Sequence, residues 1–146
     1  MQYSRVPRIL VVDTDVFVSA LLGKGASNRI VDACVAAELE PLMGAALLSE
    51  YEDVLGRDDL FANCALSRRE REDVLDAFLF RCRWVRIYFA WRPNLRDEGD
   101  NHLVELAVAG NAEAIVTKNT RDFRVSELRF PGLAIQTPEA FLGGSK

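Results

Sequence analysis

The sequence predicts an α/β fold, a three-layer α/β/α arrangement around a parallel sheet of four to five short strands. Three observations carry that reading. Arg8 to Val12 (RILVV) and Ala114 to Thr117 (AIVT) are short β-branched apolar runs, the pattern of strands buried on both faces. Between them, apolar residues recur at helical spacing, most clearly Leu47, Leu48, Tyr51, Val54 and Leu55. Helices that alternate with such strands bury their apolar stripes by covering both faces of a parallel sheet.

The elements follow in order. The first strand ends in Asp13-Thr14-Asp15 and is followed by the apolar stretch Val16 to Leu22. Ser27 is the expected cap of a helix whose apolar positions, Ile30, Val31, Cys34 and Val35, continue the pattern through Glu38. Pro41 to Met43 reads as a short strand and Ala45 to Leu55 as a helix. Ser67 begins another helix, with Val74, Leu75, Phe78 and Leu79 on its apolar face. Trp84 to Phe89 reads as a strand and Asp97 to Ala109 as a helix, before the AIVT strand. Leu133 to Gln136 supplies a last strand. Pro138 opens a terminal helix, since proline is tolerated at a first helical position. Gly143 to Lys146 is expected to fray.

A length of 146 residues suits a single domain, because two cores of about 70 residues each would be marginal. With 49% apolar and 27% charged residues, disordered and fibrous architectures are excluded. No apolar run approaches the roughly 18 residues of a membrane span, and Met1 to Pro7 lacks a signal region. The expectation is a cytoplasmic domain without membrane attachment. Cys34, Cys64 and Cys82 are odd in number and lack C-x-x-C spacing, so each is expected to be a small buried hydrophobe. A net charge of −4 argues against a surface coated for general nucleic-acid binding. Of the 18 basic residues, 15 are arginine, which suits bidentate contact with phosphate or carboxylate.

Ligands of open α/β sheets bind beyond the carboxyl ends of the strands, so acids at those ends stand out. Asp13 and Asp15 follow the first strand, and Asn119 and Asp122 follow the AIVT strand. At about 100° per residue, Asp100 shares a helix face with Leu103 and Ala107. A carboxylate on that inward face needs a cap, a cation or a metal, and Asp97 is available for the capping task. Glu50 and Glu52 flank the Leu47/Tyr51/Val54 stripe on opposite sides, and spacing does not choose between them. Carboxylates drawn to one point need a compensating cation. Oxygen ligands match a hard ion, Mg²⁺ or Mn²⁺, and such an ion supports phosphoester hydrolysis. His102, the single histidine, is expected on the solvent side of its helix, a poor place for a triad base. No P-loop and no dinucleotide fingerprint is present.

These residues resemble the PIN-domain ribonucleases. In that family an acid ends the first strand in an apolar-D-T-N context, here Val11-Val12-Asp13-Thr14-Asp15. A glutamate follows in an L-L-x-E-Y-x-x-V-L setting, here Leu47 to Leu55, and this selects Glu50. An R-D-x-x-D-N-x-x-x-E-L-A pattern runs from Arg96 through Ala107, with Asp100 in the acid's place. A V-T-x-[DN]-x-x-D-F turn spans Val116 to Phe123, and T-P-E-x-F-L closes the match at Thr137 to Leu142. The likeness runs from about Arg8 to Leu142 and is nearest to the toxin (VapC-type) branch of type II toxin–antitoxin pairs.

The resemblance implies a Mg²⁺- or Mn²⁺-dependent endoribonuclease acting on single-stranded RNA or an exposed loop. It implies catalytic roles for Asp13, Glu50, Asp100 and Asp122, with Asn119 joining them as metal ligands. Thr14, Asp15, Asp97 and Thr117 are the implied supporting residues. The sequence departs from the family at Asp15, where asparagine is common, and at Asn119, where many members have the fourth aspartate; the fourth ligand is Asn119 or Asp122. An antitoxin partner and a homodimer are implied on the same ground. Arg57 and Arg121, with Arg68 and Arg69, are candidates for contacts to the RNA backbone. Phe61, Phe78 and Trp84 are expected in the core or a dimer interface. Two other readings compete. One is a phosphatase of the haloacid-dehalogenase type, which Asp13-Thr14-Asp15-Val16 begins well but Phe17 interrupts. The other is a PIN-fold module that binds RNA or protein without cutting.

Overall fold

The apolar run Arg8–Val12, read from its composition as a buried strand, is the central strand, β1, of the computed structural model. The structure describes residues 6–23, 25–87, 101–123 and 130–143. The helices α1 (Thr14–Leu21) and α2 (Gly25–Val35) lead to β2 (Leu39–Met43). Next come α3 (Ala45–Leu55), α4 (Arg68–Arg81) and β3 (Arg83–Trp84). After α5 (Asn101–Ala109), β4 (Ala114–Val116), β5 (Ala134–Gln136) and α6 (Pro138–Gly143) complete the order. All five strands are parallel, in the order β3-β2-β1-β4-β5, with helices flanking the sheet in three layers.

Registry explains why the ends of β1 and β4 coincide. Val12 pairs with Val116, and the Asp13 amide donates to the Val116 carbonyl at 3.0 Å. Residues that follow the two strands therefore emerge side by side at one edge. Under that edge lies a core of strand and helix residues including Leu10, Val11, Phe17, Tyr51, Phe78 and Ile115, all 1% exposed or less.

Several boundaries differ from the sequence pattern for identifiable reasons. Helix α2 starts at Gly25, so Ser27 sits buried in its first turn instead of capping it. The same helix ends at Val35, before Glu38. Ala37 adopts φ 65°, and the Glu38 and Ala37 amides donate to the Ala33 and Cys34 carbonyls. This is a Schellman turn with alanine where glycine is usual. Asn111, at φ 59°, closes α5 in the same way. Ser67 caps α4 as expected, in a reciprocal capping box with Glu70.

The strand expected over Trp84 to Phe89 pairs only at its start, Arg83 and Trp84, with one further bond from the Val85 amide to Met43. Residues 88 and 89 lie outside the described residues, as do 97 to 100 of the helix expected before the AIVT strand and 144 to 146 of the expected tail. Gly143 itself still belongs to α6. Phe61 and Phe78 are core residues, whereas Trp84 is 52% exposed on the edge strand. Cys34 and Cys82 are buried and Cys64 is half-buried, and all three are free thiols. Among the described residues no helix is long and apolar enough to cross a membrane.

Candidate active site

Asp13 sits at a junction that the chain has little freedom to place elsewhere. It follows strand β1, whose last three residues are buried, and is the N-cap of α1. One carboxylate oxygen accepts from the Thr14 amide at 2.7 Å. The other accepts from the Thr117 hydroxyl, also at 2.7 Å. Thr117 is fully buried just past β4, and its hydroxyl accepts from the Asn119 amide at 3.1 Å. The side chain that orients Asp13 therefore also fixes the turn carrying Asn119.

Glu50 reaches the same place from α3. Its Oε1 accepts from the Thr14 hydroxyl at 2.7 Å, while Glu52 points to exposed surface. The neighbouring Tyr51 is fully buried and donates to the Val12 carbonyl at 2.7 Å, tying α3 to the end of β1. Asp13, Asp15, Glu50, Lys118 and Asn119 line one open cleft of about 560 Å³, with Thr14 and Ser19 between them. Asp122 does not line it: it lies exposed in the short turn Thr120–Phe123, its amide donating to the Asn119 carbonyl. Of the two fourth-ligand candidates, Asn119 is the one at the cleft. Asp97 and Asp100 lie outside the described residues; Leu103 and Ala107, the face assigned to Asp100 by spacing, are each 1% exposed.

The electrostatics of the cleft are those of crowded carboxylates. Asp13 is pushed up to about 7, first by burial, then by the charge of Asp15 and, less, of Glu50, against the opposing Thr117 and Thr14 hydrogen bonds. Asp15 is also raised by burial, opposed by the amide and ammonium of Lys118. Its carboxylate faces the Lys118 amide at 3.3 Å rather than Asp13. It thus serves as a clasp between α1 and the turn after β4.

His102 corrects an expectation. Instead of facing solvent it is 20% exposed, with Nε2 4.0 Å from Glu50 Oε2 and Nδ1 buried with no hydrogen-bond partner among the described residues. Burial holds it below the ordinary histidine range, with Glu50 and Glu105 opposing. The helical phase of α5 alone could not reveal this, because the carboxylate beside His102, Glu50, comes from α3. Arg57 is turned to Asp53 in an exposed i,i+4 pair at 2.6 Å, and Arg68 bridges toward Asp58 and Glu72. Neither lines the cleft, and Arg121 is exposed beside it in sequence only.

Residues 9–121 match the family model described as the PIN domain. The chain belongs to the PIN domain family. PIN domains are a family of nucleases that generally use a divalent metal, and membership displaces the haloacid-dehalogenase reading. No curated protein sequence matches the chain. Among solved structures the PIN fold here is similar to a chain of the VapBC2 complex from Rickettsia felis, solved bound to a DNA fragment from their promoter. That likeness has a TM-score of 0.54 at 16% identity, covering 88% of this chain and 98% of the other.

Among the described residues no three His, Cys, Asp or Glu side chains form a group able to hold an ion. The donors that do converge are oxygens only: Asp13 and Glu50, with Asn119 near. A carboxylate raised to about 7 by burial and by neighbouring carboxylates is one whose ionised form a hard cation would restore. The donor chemistry fits a hard divalent cation.

The two threonine hydroxyls can be tested directly. Thr14→Val and Thr117→Val each remove the hydrogen bond that aims one acid. Loss of such an orienting partner is expected to lower activity about 10- to 100-fold. Cleavage rates at saturating metal, with unchanged circular dichroism, check it; wild-type rates in both variants would refute it.

Proposed function

We propose that the chain is a metal-dependent endoribonuclease that hydrolyses phosphodiester bonds of single-stranded RNA or an RNA loop. The observation that carries this is the pairing of Asp13 and Glu50 across one cleft, each aimed by its own threonine hydroxyl, in a PIN fold. Asp13, Glu50 and Asp100 would hold Mg²⁺ or Mn²⁺, with Asn119 the fourth donor and Asp122 beyond it. When bound, the ion polarises a phosphoryl oxygen and lowers the pKa of a water. The chain's own residues do the rest: Thr117 and Thr14 hold the acids in place, and Asp15 clasps the turn that presents Asn119. Asp97 is proposed as a partner to the helix start at α5, and Arg57 and Arg121 as outer contacts to RNA.

On this reading the protein acts in the cytoplasm as a toxin held by an antitoxin protein, and as a homodimer. The fold's likeness to a chain of the VapBC2 complex supports the partner. Cleavage of a labelled single-stranded RNA with Mg²⁺, Mn²⁺ or EDTA tests it, with Asp100→Asn alongside. The expected result is cleavage that needs metal and falls at least 100-fold in the variant. Retained RNA binding without cleavage under any metal would favour the non-cutting PIN module instead.

A further inference from the structure

Three carboxylates in one cleft repel a polyanion, so a phosphate entering it needs a fixed positive charge. Lys118 is the cationic side chain that lines the cleft among the described residues. It is exposed yet held at two points. Its amide faces the Asp15 carboxylate at 3.3 Å, and its Nζ donates to the Ser19 hydroxyl at 2.8 Å. Asp15 and Ser19 lie one turn apart on α1, so a single helix face grips both the main chain and the side chain. Ser19 is 6% exposed, and its hydroxyl is neutral. An ammonium has three donors; this one spends one on the hydroxyl and makes no ion pair among the described residues. Its charge is positioned without being cancelled by contact.

We propose that Lys118 holds a non-bridging oxygen of the RNA phosphate presented to Asp13 and Glu50, with Ser19 as the residue that positions its ammonium. The inference rests on the nuclease reading above. A lysine that merely screened Asp15 and Asp13 would alter metal binding and leave the substrate's salt dependence alone. A phosphate contact does the opposite, since each one adds to the counterions released on binding.

The experiment compares wild type, Lys118→Gln, Lys118→Arg and Ser19→Ala as full chains, on a labelled single-stranded RNA with Mn²⁺. It reads KM, kcat and the slope of log Kd against log salt, together with Mn²⁺ affinity by calorimetry. Lys118→Gln is expected to raise KM roughly tenfold and to reduce the salt slope by about 0.7. Lys118→Arg should recover the slope, and Ser19→Ala should raise KM with the slope kept. Wild-type cleavage combined with an unchanged KM and slope in Lys118→Gln would overturn the inference and leave the nuclease reading intact. A weakened Mn²⁺ affinity with an unchanged slope would overturn it in favour of screening. A wild type that neither binds nor cuts RNA would sink the nuclease reading, and the inference with it.

Discussion

Replacing Asp13 with asparagine is expected to abolish cleavage while making the metal-free protein more stable above pH 7. The two effects share one cause. Asp13 is buried beside Asp15 and Glu50, which lifts its carboxyl from 3.8 to about 7. Between those values the folded state binds more protons than the unfolded state, so stability falls as pH rises through about 4 to 7. Above pH 7 the ionised carboxylate costs up to about 4 kcal/mol, at 1.36 kcal/mol per pKa unit. Asparagine keeps an acceptor for the Thr14 amide but turns a donor toward Thr117, whose buried hydroxyl loses its acceptor, so removal of the charge is offset by about 1 kcal/mol. The expected gain in EDTA is therefore a few kcal/mol at pH 8, shrinking toward zero near pH 4. Thermal or urea unfolding at both pH values measures it. Mn²⁺ should raise Tm of the wild type and leave Asp13→Asn nearly unmoved. A variant less stable than wild type at pH 8 would show that the carboxylate is not strained.

The second large effect is expected at Tyr51. Its ring lies 5.2 Å from that of Phe17 and 6.0 Å from that of Phe78, and Phe17 and Phe78 are 5.0 Å apart. These three rings join α1, α3 and α4 in the core beneath the cleft. Tyr51→Ala is expected to cost about 3–5 kcal/mol, the usual loss for a large buried side chain. Tyr51→Phe keeps the packing but leaves the Val12 carbonyl without its 2.7 Å donor, for about 1–2 kcal/mol. Because that bond ties the helix of Glu50 to the strand ending in Asp13, the phenylalanine variant should stay folded and lose activity. Urea unfolding gives the stabilities. Equal stability and activity for Tyr51→Phe and wild type would mean the hydroxyl anchors nothing.

Both predictions draw on features that differ in how far they could be read from the chain. The strands β1 and β4 were legible because short runs rich in β-branched residues favour strands buried in a parallel sheet. Helix α3 matches its expected span, Ala45 to Leu55, because its stripe repeats cleanly. The end of α2 was not legible: a Schellman turn is expected at glycine, and Ala37 takes the left-handed conformation here. The acids at Asp13 and Glu50 were nameable from motif and position. Their aim was not, since it depends on hydroxyls 36 and 104 residues away.

The chain's own pattern was enough to determine that the sheet is parallel, that Asp13 and Asn119 emerge at one edge, and that oxygen donors dominate there. These follow from local propensity and strand order, which act over a few residues. Spacing left open which acids share the cleft, the family motif named Glu50, and the tertiary structure decided what each acid touches. It brought Glu50 rather than Glu52 to Thr14, kept Asn119 at the cleft and Asp122 outside it, and turned His102 toward Glu50. It also fixed Lys118 between Asp15 and Ser19. The physical reason is that a side chain's neighbours across elements are set by packing and registry, and no periodicity within one element records them.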